Sequence, residues 1–159
     1  MRCLSERSTE FNQDLYVCFI DYEKAFDRVM WRKLIEIVHN IGVHWRDGRL
    51  IATLYMSQTA AARLNYELTE PSEVRRGVRQ GCLISTTLFN VYAEATMKEA
   101  LDDLKEGICV GVELIQSVRY ADDQAMTAYT EKGLHKILDE TNRVLKNYGV
   151  EINIKRQKS

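Results

Sequence analysis

The chain has 159 residues, 45% of them apolar and 28% charged, with 22 basic against 23 acidic side chains and a net charge of −1. That length carries one hydrophobic core, so a single soluble globular domain is expected. The balanced charge argues against a free-standing nucleic-acid binder, which carries a basic surplus, but leaves room for a local basic groove.

Cys3, Cys18, Cys82 and Cys109 are scattered, with no Cys-x-x-Cys pair and no neighbouring histidine, which excludes a zinc set and suits a reducing compartment. No charged-then-apolar leader is visible, and no run approaches the ~20 apolar residues of a membrane span. The expectation is an intracellular protein, nuclear or cytoplasmic, without a membrane partner.

Residues 1–14 form a polar segment expected to fray, and 15–159 form the domain. Leu15 to Ile20 is a continuous apolar run rich in β-formers and ends in Asp21, which predicts a strand buried on both faces. Trp31, Leu34, Ile35, Val38 and Ile41 recur at helical spacing until Gly42 stops them, and Asp27 is a candidate cap for that helix. Leu50, Ile51, Leu54 and Tyr55 suggest a second, shorter helix. Ala62, Leu64 and Tyr66 alternate, and an extended piece from Glu73 to Val78 is expected to pair with them across Pro71, the only proline.

Ser85 is a candidate N-cap for a long helix with Leu88, Phe89, Tyr92, Thr96, Ala100, Leu101 and Leu104 on one face. Its opposite face is acidic and reads as solvated. Two short apolar-alternating runs, Ser117–Tyr120 and Gln124–Tyr129, flank Ala121-Asp122-Asp123 and predict a hairpin with two acids in its turn. A last amphipathic helix from Leu134 to Tyr148 ends at Gly149, and Val150, Ile152 and Ile154 alternate as a final strand.

Adjacent carboxylates repel unless a cation sits on them. Asp is also an ordinary turn residue, so this pair alone reads as readily as a solvated turn. Topology adds to it. With the insertion between Trp31 and Val78 set aside, the order is strand, helix, strand, strand, helix, strand. That is an α+β, split β-α-β antiparallel sheet with helices on one face. The first strand then lies beside the third and runs the same way as the second, which brings Asp21 to the edge holding Asp122 and Asp123. Three hard-oxygen acids at one edge suit Mg²⁺ shared with substrate phosphates, and two such ions ~4 Å apart can clamp an in-line phosphoryl or nucleotidyl transfer.

Phe19-Ile20-Asp21-Tyr22-Glu23-Lys24-Ala25-Phe26-Asp27, Arg76-Gly77-Val78-Arg79-Gln80-Gly81-Cys82, Leu88-Phe89-Asn90, Tyr120-Ala121-Asp122-Asp123 and Gly149-Val150-Glu151-Ile152-Asn153 follow one another in order. Together they resemble the palm of reverse transcriptases of non-long-terminal-repeat (LINE-like) retrotransposons, with part of the fingers inserted. The resemblance runs from about Leu15 onward. It implies an RNA-directed DNA polymerase that extends a DNA primer on an RNA template with deoxynucleoside triphosphates. It further implies that Asp21, Asp122 and Asp123 are catalytic and hold two Mg²⁺, with Mn²⁺ as the alternative. Phe26 matches the aromatic residue that excludes a 2′-hydroxyl, and Gln80 and Gly81 match the pair lining the nucleotide and template site. Tyr22, Arg79 and Lys155 fall on stretches that contact nucleotide or phosphate, with Arg75 and Arg76 along the template-primer track. Read without the resemblance, Phe26 is equally a core aromatic, Gln80-Gly81 a loop turn, and the arginines an exposed basic strand.

The chain departs from the family pattern at Thr86, where proline is usual, at Gln124, where a small hydroxyl residue is usual, and at Arg156-Gln157, where lysine-threonine is usual. None is a metal ligand. Most of the fingers, the thumb and the endonuclease of a parent polyprotein are not recognisable in the sequence, which accounts for the neutral charge. Positioning is a large part of phosphoryl-transfer catalysis, so weak or absent polymerisation by this chain alone is expected. Two readings compete with an active palm: a non-catalytic remnant that at most binds nucleic acid, and a different two-metal phosphotransferase, against which the Gln80-Gly81 match argues.

Overall fold

A computed structural model describes residues 13–56, 58–79, 81–120 and 123–158. Its contacts divide the chain into two compact units, one made of residues 1–23 with 96–159 and the other of Lys24–Ala95.

The first unit is built on a four-stranded antiparallel sheet in the order β10-β1-β9-β8, with β1 at Tyr16–Glu23, β8 at Ser117–Tyr120, β9 at Asp123–Ala128 and β10 at Glu151–Lys158. The expected neighbours and directions are therefore found: β1 lies beside β9 and runs parallel to β8. The apolar run explains the central place of β1, because Val17, Cys18 and Ile20 are all buried although they alternate between faces. Helix α5, Glu131–Asn147, packs on β1, β9 and β10 through Leu134, Ile137, Leu138, Thr141, Val144 and Leu145. Thr130 caps it by accepting the Gly133 N–H at 3.0 Å. At its other end Gly149, at φ +69°, lets the Val150 N–H reach back to the Leu145 carbonyl at 2.9 Å, so chain reversal feeds directly into β10.

The opposite face of the sheet carries a hairpin that periodicity did not predict, β6 (Ile108–Val110) with β7 (Glu113–Ile115). Ile108 packs with Leu15, Val17 and Ala125, and Val110, Ile115 and Val118 close over them. Three-residue strands separated by Gly111 are too short to show a period. Gly107 is required at its entry: at φ +152°, a side chain there would meet the Ile115 carbonyl at 2.9 Å.

The second unit holds α1 (Ala25–Arg28), α2 (Trp31–Asn40), α3 (Trp45–Tyr55) and the N-terminal part of α4 (Leu83–Leu101), whose remainder belongs to the first unit. Helix α2 follows the predicted stripe, burying Trp31, Leu34, Ile37 and Val38, and Gly42 ends it at φ +87°. Four details differ from expectation. Asp27 lies inside α1, and the N-cap of α2 is Met30, with no side-chain cap bond. Helix α3 has 11 residues against 10 for α2, and only Tyr55 of its apolar stripe is buried, with Leu50 and Leu54 exposed. Ser85 falls in the first turn of α4, buried against Tyr55 by a 3.0 Å hydroxyl–hydroxyl bond, and Leu104 lies past the helix end. The alternating segment pairs as two ladders. Thr59–Ala60 (β2) joins Ser72–Glu73 (β5), and Arg63–Leu64 (β3) joins Glu67–Leu68 (β4). Asn65 and Tyr66 both have positive φ, which closes a two-residue hairpin, and turn geometry overrides the alternation.

Candidate active site

The candidate acids belong to the sheet unit. Cys18, Ile20 and Tyr22 alternate with Val17, Phe19 and Asp21, so Asp21 stands on the face that the β6–β7 hairpin covers. That cover stops short: Val17 is 5% exposed, but Phe19 is 38% exposed and Asp21 lies open beyond it. The β1–β9 register runs from Tyr16↔Ala128 to Ile20↔Gln124. Continued by one residue on each strand, the same register sets Asp21 opposite Asp123, just past the last paired residues. Asp123 pairs in turn with Tyr120 across the β8–β9 hairpin. Asp122 and the side chain of Asp123 lie outside the described residues. Among the described residues no side chain neutralises the Asp21 carboxylate, and no group of three metal-ligating side chains is gathered. An exposed carboxylate is a hard-oxygen donor of the kind a divalent cation takes.

On β10, Lys155 is paired with Phe19 and Asn153 with Asp21, so the backbone of Lys155 lies two positions from the acid; its side chain is outside the described residues. Tyr22 and Gln124 sit on the other, helix-covered face. The Tyr22 hydroxyl donates to Gln124 Oε1 at 2.5 Å. Burial pushes the Tyr22 phenol up to about 12 against the opposing pull of the Arg119 charge, so it remains a donor throughout the neutral range.

The other motif residues, Phe26, Arg75, Arg76, Arg79, Gln80 and Gly81, belong to the unit Lys24–Ala95. Phe26 is half-buried and stacks on Phe89 of α4, with ring centroids 4.9 Å apart and planes 22° from parallel. Sequence motifs named both rings without linking them. The segment leading to Gln80 and Gly81 is fastened beside Phe26, partly by Val29 and Trp31, which lie outside the motifs. Gly77 N–H donates to the Val29 carbonyl and Val78 N–H to the Phe26 carbonyl, both at 2.8 Å. The buried Trp31 indole donates to the Gly77 carbonyl at 2.7 Å. Gly77 has φ +95°, and a Cβ there would stand 3.1 Å from the Asp27 backbone, so only glycine fits. Gly81 also has positive φ, +79°, but faces open space. Gln80 lies outside the described residues. Arg75, Arg76 and Arg79 are exposed, with Arg75 3.6 Å from Glu73.

The chain matches the reverse transcriptase (RNA-dependent DNA polymerase) family over residues 1–158 and belongs to it. It is 29% identical over 140 residues to the retrovirus-related Pol polyprotein from type-1 retrotransposable element R2 of Nasonia vitripennis, covering 87% of this chain and 13% of that protein. It is 25% identical over 138 residues to the Pol polyprotein from type-2 retrotransposable element R2DM of Drosophila melanogaster, with the same coverage, 87% and 13%. The chain thus spans about an eighth of the length of these curated relatives. The apo telomerase of Candida tropicalis superposes with a TM-score of 0.71 at 17% identity, over 99% of this chain and 34% of that one. The α+β palm fold and the retrotransposon resemblance are thereby established. Among the described residues no helix is long and apolar enough to cross a membrane.

Proposed function

We propose that this chain is the palm of a retrotransposon RNA-directed DNA polymerase, transferring a nucleotidyl group from a deoxynucleoside triphosphate to a primer 3′-hydroxyl on an RNA template. The reading is carried by the register that aligns Asp21 with Asp123 at the uncovered end of the sheet. Asp21, Asp122 and Asp123 are the residues to hold two Mg²⁺, or Mn²⁺. When bound, the ions would supply activation of the attacking oxygen and charge stabilisation on the leaving phosphate.

The chain's own groups then have separable tasks. Asp21 and the acid pair hold negative charge at one edge, which repels nucleic acid unless cations are present and so couples substrate binding to metal. Phe26 presents a ring whose position is set by Phe89, a rigid wall suited to excluding a ribose 2′-hydroxyl. Gln80 and Gly81 would line the nucleotide and template, Gly81 allowing close backbone approach. Tyr22 flanks the first acid on this stretch. Arg79 and Lys155 would contact phosphate without reading sequence.

The test is primer extension on an RNA template with a DNA primer and Mg²⁺, with this chain assayed within its parent polyprotein. Asp122→Asn should lower extension on the order of 10³-fold, since several kcal/mol of charge stabilisation is withdrawn. Extension that survives the substitution would rule out the metal assignment. Phe26→Ala should raise ribonucleotide incorporation relative to deoxyribonucleotide, and an unchanged ratio would remove Phe26 from sugar selection.

A further inference from the structure

Gln124 stands where the family pattern has a small hydroxyl residue, and in sequence it reads as drift. In the fold it has a partner. Its side chain is 3% exposed, and its Oε1 accepts the Tyr22 hydroxyl at 2.5 Å. The two partners occupy equivalent places: Tyr22 directly follows Asp21, and Gln124 directly follows Asp123.

The backbone explains why a tie at this point matters. β1 is paired with β10 along its whole length, from Tyr16↔Lys158 to Glu23↔Glu151. Toward β9 the pairing stops at Ile20↔Gln124, one residue short of Asp21 and Asp123. The two acids thus lie just past the end of the ladder, where antiparallel strands splay most readily. The Tyr22–Gln124 bond crosses between the same two strands at that end, on the buried face beneath the acids. Its cost is visible: among the described residues Gln124 Nε2 is buried with no hydrogen-bond partner. A small hydroxyl side chain at 124 would leave no buried amide, but it would be too short to span the strands.

We propose that Tyr22 and Gln124 form a cross-strand clamp that sets the separation of Asp21 and Asp123, making both positioning residues for a divalent-cation site. The inference rests on the metal reading of the acids given above. Hydrogen bonds behind metal ligands typically govern affinity by 10- to 100-fold. The bond joins Tyr22 and Gln124, the residues that follow Asp21 and Asp123 on the two strands, so its removal should act through strand geometry.

The experiment measures Mn²⁺ binding to the intact chain by electron paramagnetic resonance, together with the thermal midpoint, for wild type, Tyr22→Phe, Gln124→Met, the double variant and Asp21→Asn. Tyr22→Phe deletes one oxygen and keeps the ring, so the fold is retained even if Gln124→Met proves too disruptive. The clamp requires Mn²⁺ affinity on the order of tenfold weaker in each single variant. The double variant should be no weaker than the weaker single, because both lose the same bond. A lowered thermal midpoint with Mn²⁺ affinity unchanged in Tyr22→Phe overturns the clamp while leaving the metal reading intact. Mn²⁺ binding that is undiminished in Asp21→Asn overturns the metal reading itself, and the clamp with it.

Discussion

In the sheet unit the first candidate acid lies near the end of a central strand, one residue past its pairing with β9, whereas in Lys24–Ala95 the motif residues sit on turns and short helices tied down by a few side chains. β1 buries residues on both faces, and α5 covers one of them with a seven-residue-deep stripe from Gly133 to Leu145. The ladders of the second unit are two residues long, and Leu50, Leu54, Leu64, Leu68 and Tyr66 around them are exposed. Order there depends on discrete contacts: Phe26 on Phe89, Trp31 on Gly77, Tyr55 on Ser85. A regular ladder spreads its stabilisation over many bonds. A turn held by single contacts concentrates it, so point substitutions should separate the two.

The largest effect is expected at Phe89, which is 3% exposed. Phe89→Ala removes the ring under Phe26 and should destabilise by roughly 3–5 kcal/mol, read by chemical denaturation. A loss below about 1 kcal/mol, no more than a surface change, would refute the dependence on single contacts. Gly77→Ala comes next. The left-handed backbone costs a side chain about 1–2 kcal/mol, and the 3.1 Å approach to Asp27 adds to it, so a loss of about 2 kcal/mol or more is expected. Gly81→Ala, with the same sign of φ but open space, should lose distinctly less. In the sheet unit Thr130→Ala removes the α5 cap bond and should cost about 1 kcal/mol, a typical N-cap value.

The smallest effect compares the units through pH. Burial raises Tyr22 in the sheet unit and Tyr92 in the other to about 12, from 10.0 when exposed. The folded chain therefore holds these protons more tightly than the unfolded chain. Stability is intact below pH 10 and declines as pH rises from 10 toward 12. Tyr22→Phe and Tyr92→Phe should each flatten part of that alkaline decline in thermal melts, and a decline unaltered in both would refute the assignment.

The acids were legible because their signals are local. Asp21 ends an apolar run, and Asp122 and Asp123 interrupt two short alternating ones, so strand, turn and order could be read along the chain. Phe26, Gln80 and Gly81 were legible only through a motif resemblance. Trp31 showed itself as the first residue of a helical stripe, but its indole bond to Gly77 has no local signature. Gly77 was visible as a glycine within a motif, without the neighbour that makes it necessary. Gln124 showed itself only as a departure from the family pattern, because its hydrogen-bond partner is 102 residues away.

By itself, then, the sequence determined the elements whose apolar periodicity outlasts a turn: β1, α2, α5 and the strands β8 and β9, although Asp123, expected in the turn between them, opens β9. Tertiary structure alone decided which face of β1 stays open, that β6 and β7 cover the other end of it, and that α3 leaves its apolar stripe uncovered. It also decided that Tyr22 meets Gln124. The reason is physical. Periodicity records how one segment divides itself between core and solvent, a property of the segment. A hydrogen bond, a ring stack or a close backbone approach is a property of two segments, and it exists only once the fold has brought both to the same place.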